Sequence, residues 1–195
     1  MKTPQKLVLG TLLFSSLFLI GCNSFHISEE ELNQEVAKRL EEPQNNQIDL
    51  TLEGNTLNLD LLVRSADIQL TDRDGGLVLV DLVSDMKGQL TAFGQTFSIT
   101  TQLKPSFESG VRLEENRVYL VAPKITQISV EGSSFNEQIL RSTLGSLHDD
   151  FEKALVQYFD ENPVYVLDHS PFEKSAASLV KSIVIRKGAL EFSIF

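Results

Sequence analysis

Side chains that could do chemistry cluster at two places in this 195-residue sequence. His148-Asp149-Asp150 combines residue types that bind metal ions, and Asp168-His169-Ser170 combines the types of a hydrolytic triad. Consecutive residues of a helix point in different directions, so the first cluster cannot converge on one ion. Sequence neighbours rarely form a triad, and Ser170 is better explained as a helix cap. We therefore expect no metal site, no catalytic residue and no enzymatic activity.

Longer catalytic and nucleotide-binding motifs are also missing from the sequence. There is no G-x-S-x-G, no H-E-x-x-H, no P-loop and no G-x-G-x-x-G. The acidic residues are spread along predicted helices and turns, a pattern typical of a solvated surface, and no pair is marked for general acid and base catalysis. The net charge of −10 and the pI near 4.8 argue against a nucleic-acid partner.

The single cysteine follows a segment typical of secretion. Lys2 and Lys6 precede an apolar run over 7–20 that is too short to span a bilayer comfortably. One cysteine also excludes an internal disulfide. The sequence Leu19-Ile20-Gly21-Cys22 resembles the lipobox of bacterial lipoproteins. The alternatives are an ordinary secretory signal with a chance cysteine, or an uncleaved membrane anchor.

The lipobox resemblance implies how the chain is processed and where it lies. Residues 1–21 would be a signal peptide that is removed, and Cys22 would carry a covalent diacylglycerol and an acyl chain such as palmitate, with no other cofactor. Residues 22–27 would form a lipidated tether of about 20 Å at full stretch. Asn23, in place of Asp, indicates the outer membrane and a periplasm-facing anchor, provided that the host is Gram-negative.

Residues 28–195 are predicted to form a single α+β domain. Ser28 and Glu31 form a capping box at the start of a short N-terminal helix, to which we assign only a docking role. Over 47–131, alternating apolar residues separated by turns predict an antiparallel meander. Apolar residues at steps of three and four over 134–160 predict one long amphipathic helix.

The C-terminal part completes the predicted domain and covers the sheet. A short strand at 164–167, a second capped helix from Ser170 and a closing hairpin follow the long helix. The long helix can lie along the concave face of a curved sheet. Between them lies either a dry core or a gap that holds a lipid or another amphiphile, and composition does not separate the two. The candidate residues for lining such a gap are Leu144, Leu147, Phe151, Leu155, Phe159, Phe97, Ile99, Leu103 and Leu120.

Several segments resemble the YceB-like family of bacterial lipoproteins. They are Ile27 to Gln34 with Ala37-Lys38, then Ala154-Leu155, Tyr158-Phe159 and Pro163 to Leu167, and finally Ile183-Val184-Ile185 with its Lys-Gly turn. That family is similar in fold to the TULIP lipid-binding domains, in which a curved antiparallel sheet wraps around one long helix with lipid between them. The resemblance implies a non-catalytic, membrane-anchored periplasmic lipoprotein that binds a lipid or fatty acid. The alternative is a structural lipoprotein with a packed core, whose acidic outer face contacts an envelope protein.

Overall fold

The computed structural model describes residues 24–42, 47–52, 57–92, 95–131, 148–168 and 171–194. We number the helices and strands in chain order within these ranges. The elements are β1 (Ser24–Ser28), α1 (Glu29–Leu40), β2 (Gln47–Leu52), β3 (Leu57–Thr71), β4 (Leu77–Ala92), β5 (Gln95–Glu114), β6 (Arg117–Glu131), α2 (His148–Glu161), β7 (Tyr165–Val166), α3 (Pro171–Ala177), β8 (Ser182–Arg186) and β9 (Ala189–Ser193).

Two antiparallel sheets make up most of the described chain. The larger sheet has six strands in the order β2-β3-β4-β5-β6-β7, and the smaller sheet has the order β1-β9-β8. Strands β2 to β6 pair with their sequence neighbours, because each short connection returns the chain beside the strand that it has just left. The predicted α+β class and the antiparallel meander are therefore confirmed.

The larger sheet is curved, and irregularities in its long strands bend it. The pairing register shifts between Val63 and Ser65 in β3, and again in β5 beside Phe107 and near Gly110. Such bulges bend a strand and increase its twist. Helix α2 packs against both β2 and β6, which lie at opposite sides of this sheet.

Helix α2 is the described part of the predicted long helix. It runs from His148 to Glu161 and is followed by Asn162-Pro163, since a proline does not continue a helix. Residues 132–147, which include the predicted start, lie outside the described residues. The single long helix over 134–160 therefore stays a prediction.

Strand β1 occupies a segment that the sequence analysis placed in the tether. Its residues Ser24–Ser28 pair with β9, and the rings of Phe25 and Phe192 stack with their centroids 4.9 Å apart. The partner strand lies at the opposite end of the chain, so no local pattern could reveal the pairing. The proposed signal peptide and Cys22 lie outside the described residues.

The two sheets meet at the turn between β3 and β4. The Gly188 N–H donates to the Leu70 carbonyl at 3.0 Å, and the Glu29 N–H donates to the Gly188 carbonyl at 2.9 Å. Gly76 packs directly on β8, since a Cβ built there would lie 2.8 Å from the Cβ of Ile185. The hairpin β8–β9 is thereby fixed to the larger sheet.

Candidate functional site

An apolar cavity of about 340 Å³ lies between α1, the larger sheet, the end of α2 and the segment that follows it. Its volume falls within the range of about 300–1,000 Å³ that is common for ligand pockets. Most of its lining is aliphatic or aromatic. The lining residues are Leu32, Val36, Arg39, Leu40, Gln47, Ile48, Val63, Ala66, Ile68, Val78, Val80, Leu82, Phe107, Val111, Val118, Leu120, Tyr158, Phe159, Asn162, Pro163, Val164, Tyr165 and Leu190.

Helix α1 forms one wall of the cavity, and its first turns are fixed to the edge of β3. Ser28 caps the helix, and the capping box with Glu31 predicted from the sequence is confirmed. The last β2–β3 pair is Gln47 with Leu62. Beyond that point, side chains supply the hydrogen-bond partners for backbone N–H and carbonyl groups at the edge of β3. Asn33 bonds both backbone groups of Ile68, and the Glu29 carboxylate accepts from the Leu70 N–H at 2.7 Å.

Helix α2 forms a second wall and is held at both ends of its described part. Near its start, the Glu152 carboxylate accepts from the Ile125 N–H of β6 at 3.0 Å. Near its end, the Arg112 guanidinium donates to the carbonyl and the carboxylate of Asp160, both at 2.9 Å. A cation at a helix C-terminus also interacts favourably with the helix dipole. These contacts set the position of Phe159 in the cavity.

Aromatic rings pack together where α2 meets the sheet. The centroids of Phe107 and Phe159 are 5.6 Å apart, and Tyr158 meets Phe159 edge to face at 5.2 Å. Phe107 is 2% exposed and Phe159 is 7% exposed. This part of the cavity wall is therefore closely packed and apolar, and it suits hydrocarbon better than a polar ligand.

A few polar side chains lie among the lining residues. Arg39 pairs with Glu35 at 3.3 Å, and its guanidinium lies 5.7 Å from the centroid of the Tyr165 ring. The Tyr165 hydroxyl donates to the carboxylate of Glu173 at 3.4 Å. Because Glu35 balances the charge of Arg39, this wall carries little net charge.

The two tyrosines of the lining stay neutral over a wide pH range. Burial raises the pKa of the Tyr165 hydroxyl well above its ordinary value, and the carboxylates of Glu173 and Glu35 raise it further. Burial also raises the pKa of Tyr158, with a smaller contribution from Asp49. Both hydroxyls can therefore form hydrogen bonds without placing a charge beside an apolar ligand.

Over the described residues, no group of three or more His, Cys, Asp or Glu side chains is arranged to hold a metal ion. Asp149 is exposed on α2, and the Asp150 carboxylate lies 3.8 Å from the Lys153 ammonium group. His169 and Ser170 lie outside the described residues. None of the helices described is both long and apolar enough to cross a membrane.

Sequence comparison places the chain in a family. Residues 27–189 match the family described as "Protein of unknown function (DUF1439)". The chain belongs to this family. It is 25% identical over 193 residues to the uncharacterized lipoprotein YceB of Salmonella typhimurium, covering 95% of this chain and 96% of that protein. The YceB proteins of Escherichia coli and Shigella flexneri are each 24% identical with the same coverage. The resemblance to the YceB-like family is thus confirmed.

A solved structure shows a more distant similarity. The crystal structure of a lipopolysaccharide binding protein aligns with a TM-score of 0.38 and 11% sequence identity. The alignment covers 88% of this chain and 49% of that chain, so this family member spans about half the length of that structure.

The family resemblance marked no functional residue besides Cys22, so the candidate residues came from apolar patterning. Of these, Phe159 and Leu120 line the cavity. Phe151, Leu155 and Leu103 are buried in the surrounding core and are not among the lining residues. The remaining candidates stay predictions: Leu144 and Leu147 lie outside the described residues, and Phe97 and Ile99 lie on β5 with side chains that are not described.

The wall that sequence reasoning missed comes from α1 and from the segment after α2. Leu32, Val36 and Leu40 recur at helical spacing on α1, but nothing local shows that this stripe faces a cavity rather than a filled core. Pro163 and Tyr165, which belong to a segment that resembles the YceB-like family, also line the cavity. Their position depends on the pairing of β7 with β6, which joins Tyr165 to Val118.

Proposed function

We propose that this protein is a lipid-anchored envelope protein that holds the hydrocarbon chain of a lipid or fatty acid and catalyses no reaction. The observation that carries the proposal is the apolar cavity of about 340 Å³ between α1, the larger sheet and α2. Burial of each methylene group contributes about 0.8 kcal/mol, so hydrocarbon burial alone supplies affinity. The aromatic and aliphatic walls provide an apolar surface for such a chain, and binding requires no covalent step.

In this proposal the fold is TULIP-like, with the sheet wrapped around one long helix. Helix α2 would be the C-terminal part of that helix, and Leu144 and Leu147 would extend its wall. Cys22 would carry the diacylglycerol and the further acyl chain, and Asn23 would direct the protein to the periplasmic face of the outer membrane. The names of the YceB relatives support the lipoprotein assignment.

The size and charge of the cavity favour one acyl chain over a bulky headgroup. The volume lies at the lower end of the usual range for ligand pockets. Arg39 is already paired with Glu35, so a ligand carboxylate gains little from entering the cavity. We therefore propose that the hydrocarbon is buried and that the polar end of the ligand stays at the mouth.

A cavity-filling variant tests this proposal. Ala66 lines the cavity, whereas Gln69 on the same strand is exposed on the opposite face. Residues 23–195 contain every described helix and strand and would be titrated with a fluorescent fatty acid. Ala66→Trp should weaken binding at least tenfold, and the matched Gln69→Trp should bind like the unchanged protein. Equal binding by both variants would place the ligand elsewhere.

One observation favours the alternative of a structural lipoprotein with a packed core. Phe151, Leu155 and Leu103 are at most 2% exposed and are absent from the cavity lining, so much of the interface between α2 and the sheet is dry. In that case the acidic outer face would contact an envelope protein, and the contact would weaken with salt. Failure of the unchanged protein to bind any fatty acid, together with a salt-sensitive protein partner, would support this alternative.

A further inference from the structure

We infer that one end of the smaller sheet, together with the connection between α3 and β8, contacts the surface of the membrane that holds the lipid anchor. This membrane-facing end consists of Ser24, Ser193 and the segment 174–182. The inference rests on the anchoring part of the proposed function and does not depend on the cavity. The occupant to which it commits is a phospholipid surface with anionic headgroups.

Strand pairing places the first residue of β1 at this end of the smaller sheet. Ser24 pairs with Ser193, and Ser182 pairs with Ser193 from the other side. The Lys181 N–H donates to the Ser193 carbonyl at 2.8 Å. Cys22 precedes Ser24 by two residues, and two residues of chain span at most about 7 Å. A lipid on Cys22 consequently brings this end of the sheet to the bilayer.

The side chains at this end suit a bilayer surface. Leu179 is 53% exposed, the highest value among the large apolar side chains that are described as exposed. Lys174 and Lys181, both exposed, line a shallow groove beside it. The other lining residues of that groove are Leu113, Glu115, Asn116, Ala177, Ser178 and Val180.

The charge at this end differs from that of the whole chain. Two lysines face one carboxylate, that of Glu115, along the groove, whereas the chain carries a net charge of −10. Lysine stems can pack on apolar surface while their ammonium groups meet phosphates. Attraction to anionic headgroups acts within about 8 Å at physiological salt, the Debye length, so it requires the close approach that the short anchor provides.

The test uses the full lipidated chain reconstituted in vesicles that contain phosphatidylglycerol. Lipidation consumes the thiol of Cys22, the only cysteine, so Leu179→Cys introduces the one free thiol for a fluorescent label. Lys187→Cys is the matched control. Lys187 is exposed at the opposite end of the β8–β9 hairpin, and the five-residue strand β8 that separates the two ends is about 16 Å long. Quenching is measured with nitroxide-bearing lipids and with aqueous iodide.

We expect nitroxide lipids to quench the label at position 179 at least threefold more than the label at position 187, and iodide to show the reverse order. Adding Lys174→Glu and Lys181→Glu should reduce the lipid quenching at position 179 at least twofold. Equal quenching of the two labels, or no effect of the charge reversals, overturns the inference and leaves the proposed cavity function standing. A mass that shows Cys22 without lipid overturns both the anchor and this inference.

Discussion

Asn33 and Ile68 exchange two hydrogen bonds, although they lie 35 positions apart in the sequence. The Asn33 Nδ2 donates to the Ile68 carbonyl at 2.8 Å, and the Ile68 N–H donates to the Asn33 Oδ1 at 2.9 Å. The amide thus takes the place of a neighbouring strand along β3, beyond the end of β2. It also holds α1 over the cavity, since both Leu32 and Ile68 belong to the lining.

Asn33→Ala should lower the free energy of unfolding by about 1–3 kcal/mol, because it leaves two backbone groups of β3 without their partner. Urea unfolding followed by circular dichroism measures the change. Gln34→Ala is the control, since Gln34 is exposed and its amide donates to the exposed Glu30 carboxylate at 3.3 Å. The control should change stability by less than about 0.5 kcal/mol. Similar effects of the two variants would mean that the Asn33 bonds do not hold α1.

Gly76→Ala should be more destabilising than Gly75→Ala, although both glycines have a positive φ, of 114° and 90°. A Cβ at Gly76 would lie 2.8 Å from the Cβ of Ile185, whereas a Cβ at Gly75 would meet nothing within 4 Å. Both substitutions strain the backbone, and Gly76→Ala adds the close contact between the two sheets. Thermal unfolding of the pair measures it, and equal midpoints would contradict the contact.

Arg112→Met should lower the free energy of unfolding by about 1–2 kcal/mol, because α2 loses two hydrogen bonds at Asp160. The guanidinium also lies 4.4 Å from the centroid of the Tyr119 ring, a cation–π contact that Met cannot replace. Arg64→Met, which breaks the exposed pair with Asp85, should cost less than about 1 kcal/mol. Urea unfolding of both variants measures the two losses in free energy of unfolding. Equal losses would show that the contacts of Arg112 do not stabilise the position of α2.

Tyr165 should make stability fall at alkaline pH. Its folded pKa lies above the ordinary value of 10.0, so above that pH the unfolded chain releases a proton that the folded chain retains. This contribution is fully present below pH 10 and is lost as the pH rises toward the folded pKa. The free energy of unfolding of Tyr165→Phe should therefore decline less steeply above pH 10 than that of the unchanged protein. Parallel curves of stability against pH would show that the pKa of the Tyr165 hydroxyl is not raised in the folded protein.

Much of the fold could be predicted because its signals are local. The capping box of Ser28 and Glu31 marks the start of α1, and the turns at 72–76 and 114–116 separate strands that pair with their neighbours. In each case a few adjacent residues determine the backbone conformation. Short connections then leave antiparallel pairing as the simplest outcome.

The parts that sequence reasoning missed depend on contacts between distant segments. Strand β1 has only five residues, and its place in the smaller sheet depends on pairing with β9 and on the stacking of Phe25 on the distant Phe192. The cavity is space left between α1, the sheet and α2, so no single apolar stripe encodes it. Leu120 lines the cavity while Leu103 is buried in the core outside its lining, although both fit the same alternating pattern.

Native mass spectrometry of residues 23–195, purified from the periplasm without detergent, tests the central claim most directly. The cavity predicts one lipid-sized adduct per chain, which solvent extraction would release and identify. Ala66→Trp should lose the adduct, and Gln69→Trp should keep it. A mass without any adduct, unchanged after incubation with envelope lipids, would contradict amphiphile binding and support the packed-core alternative.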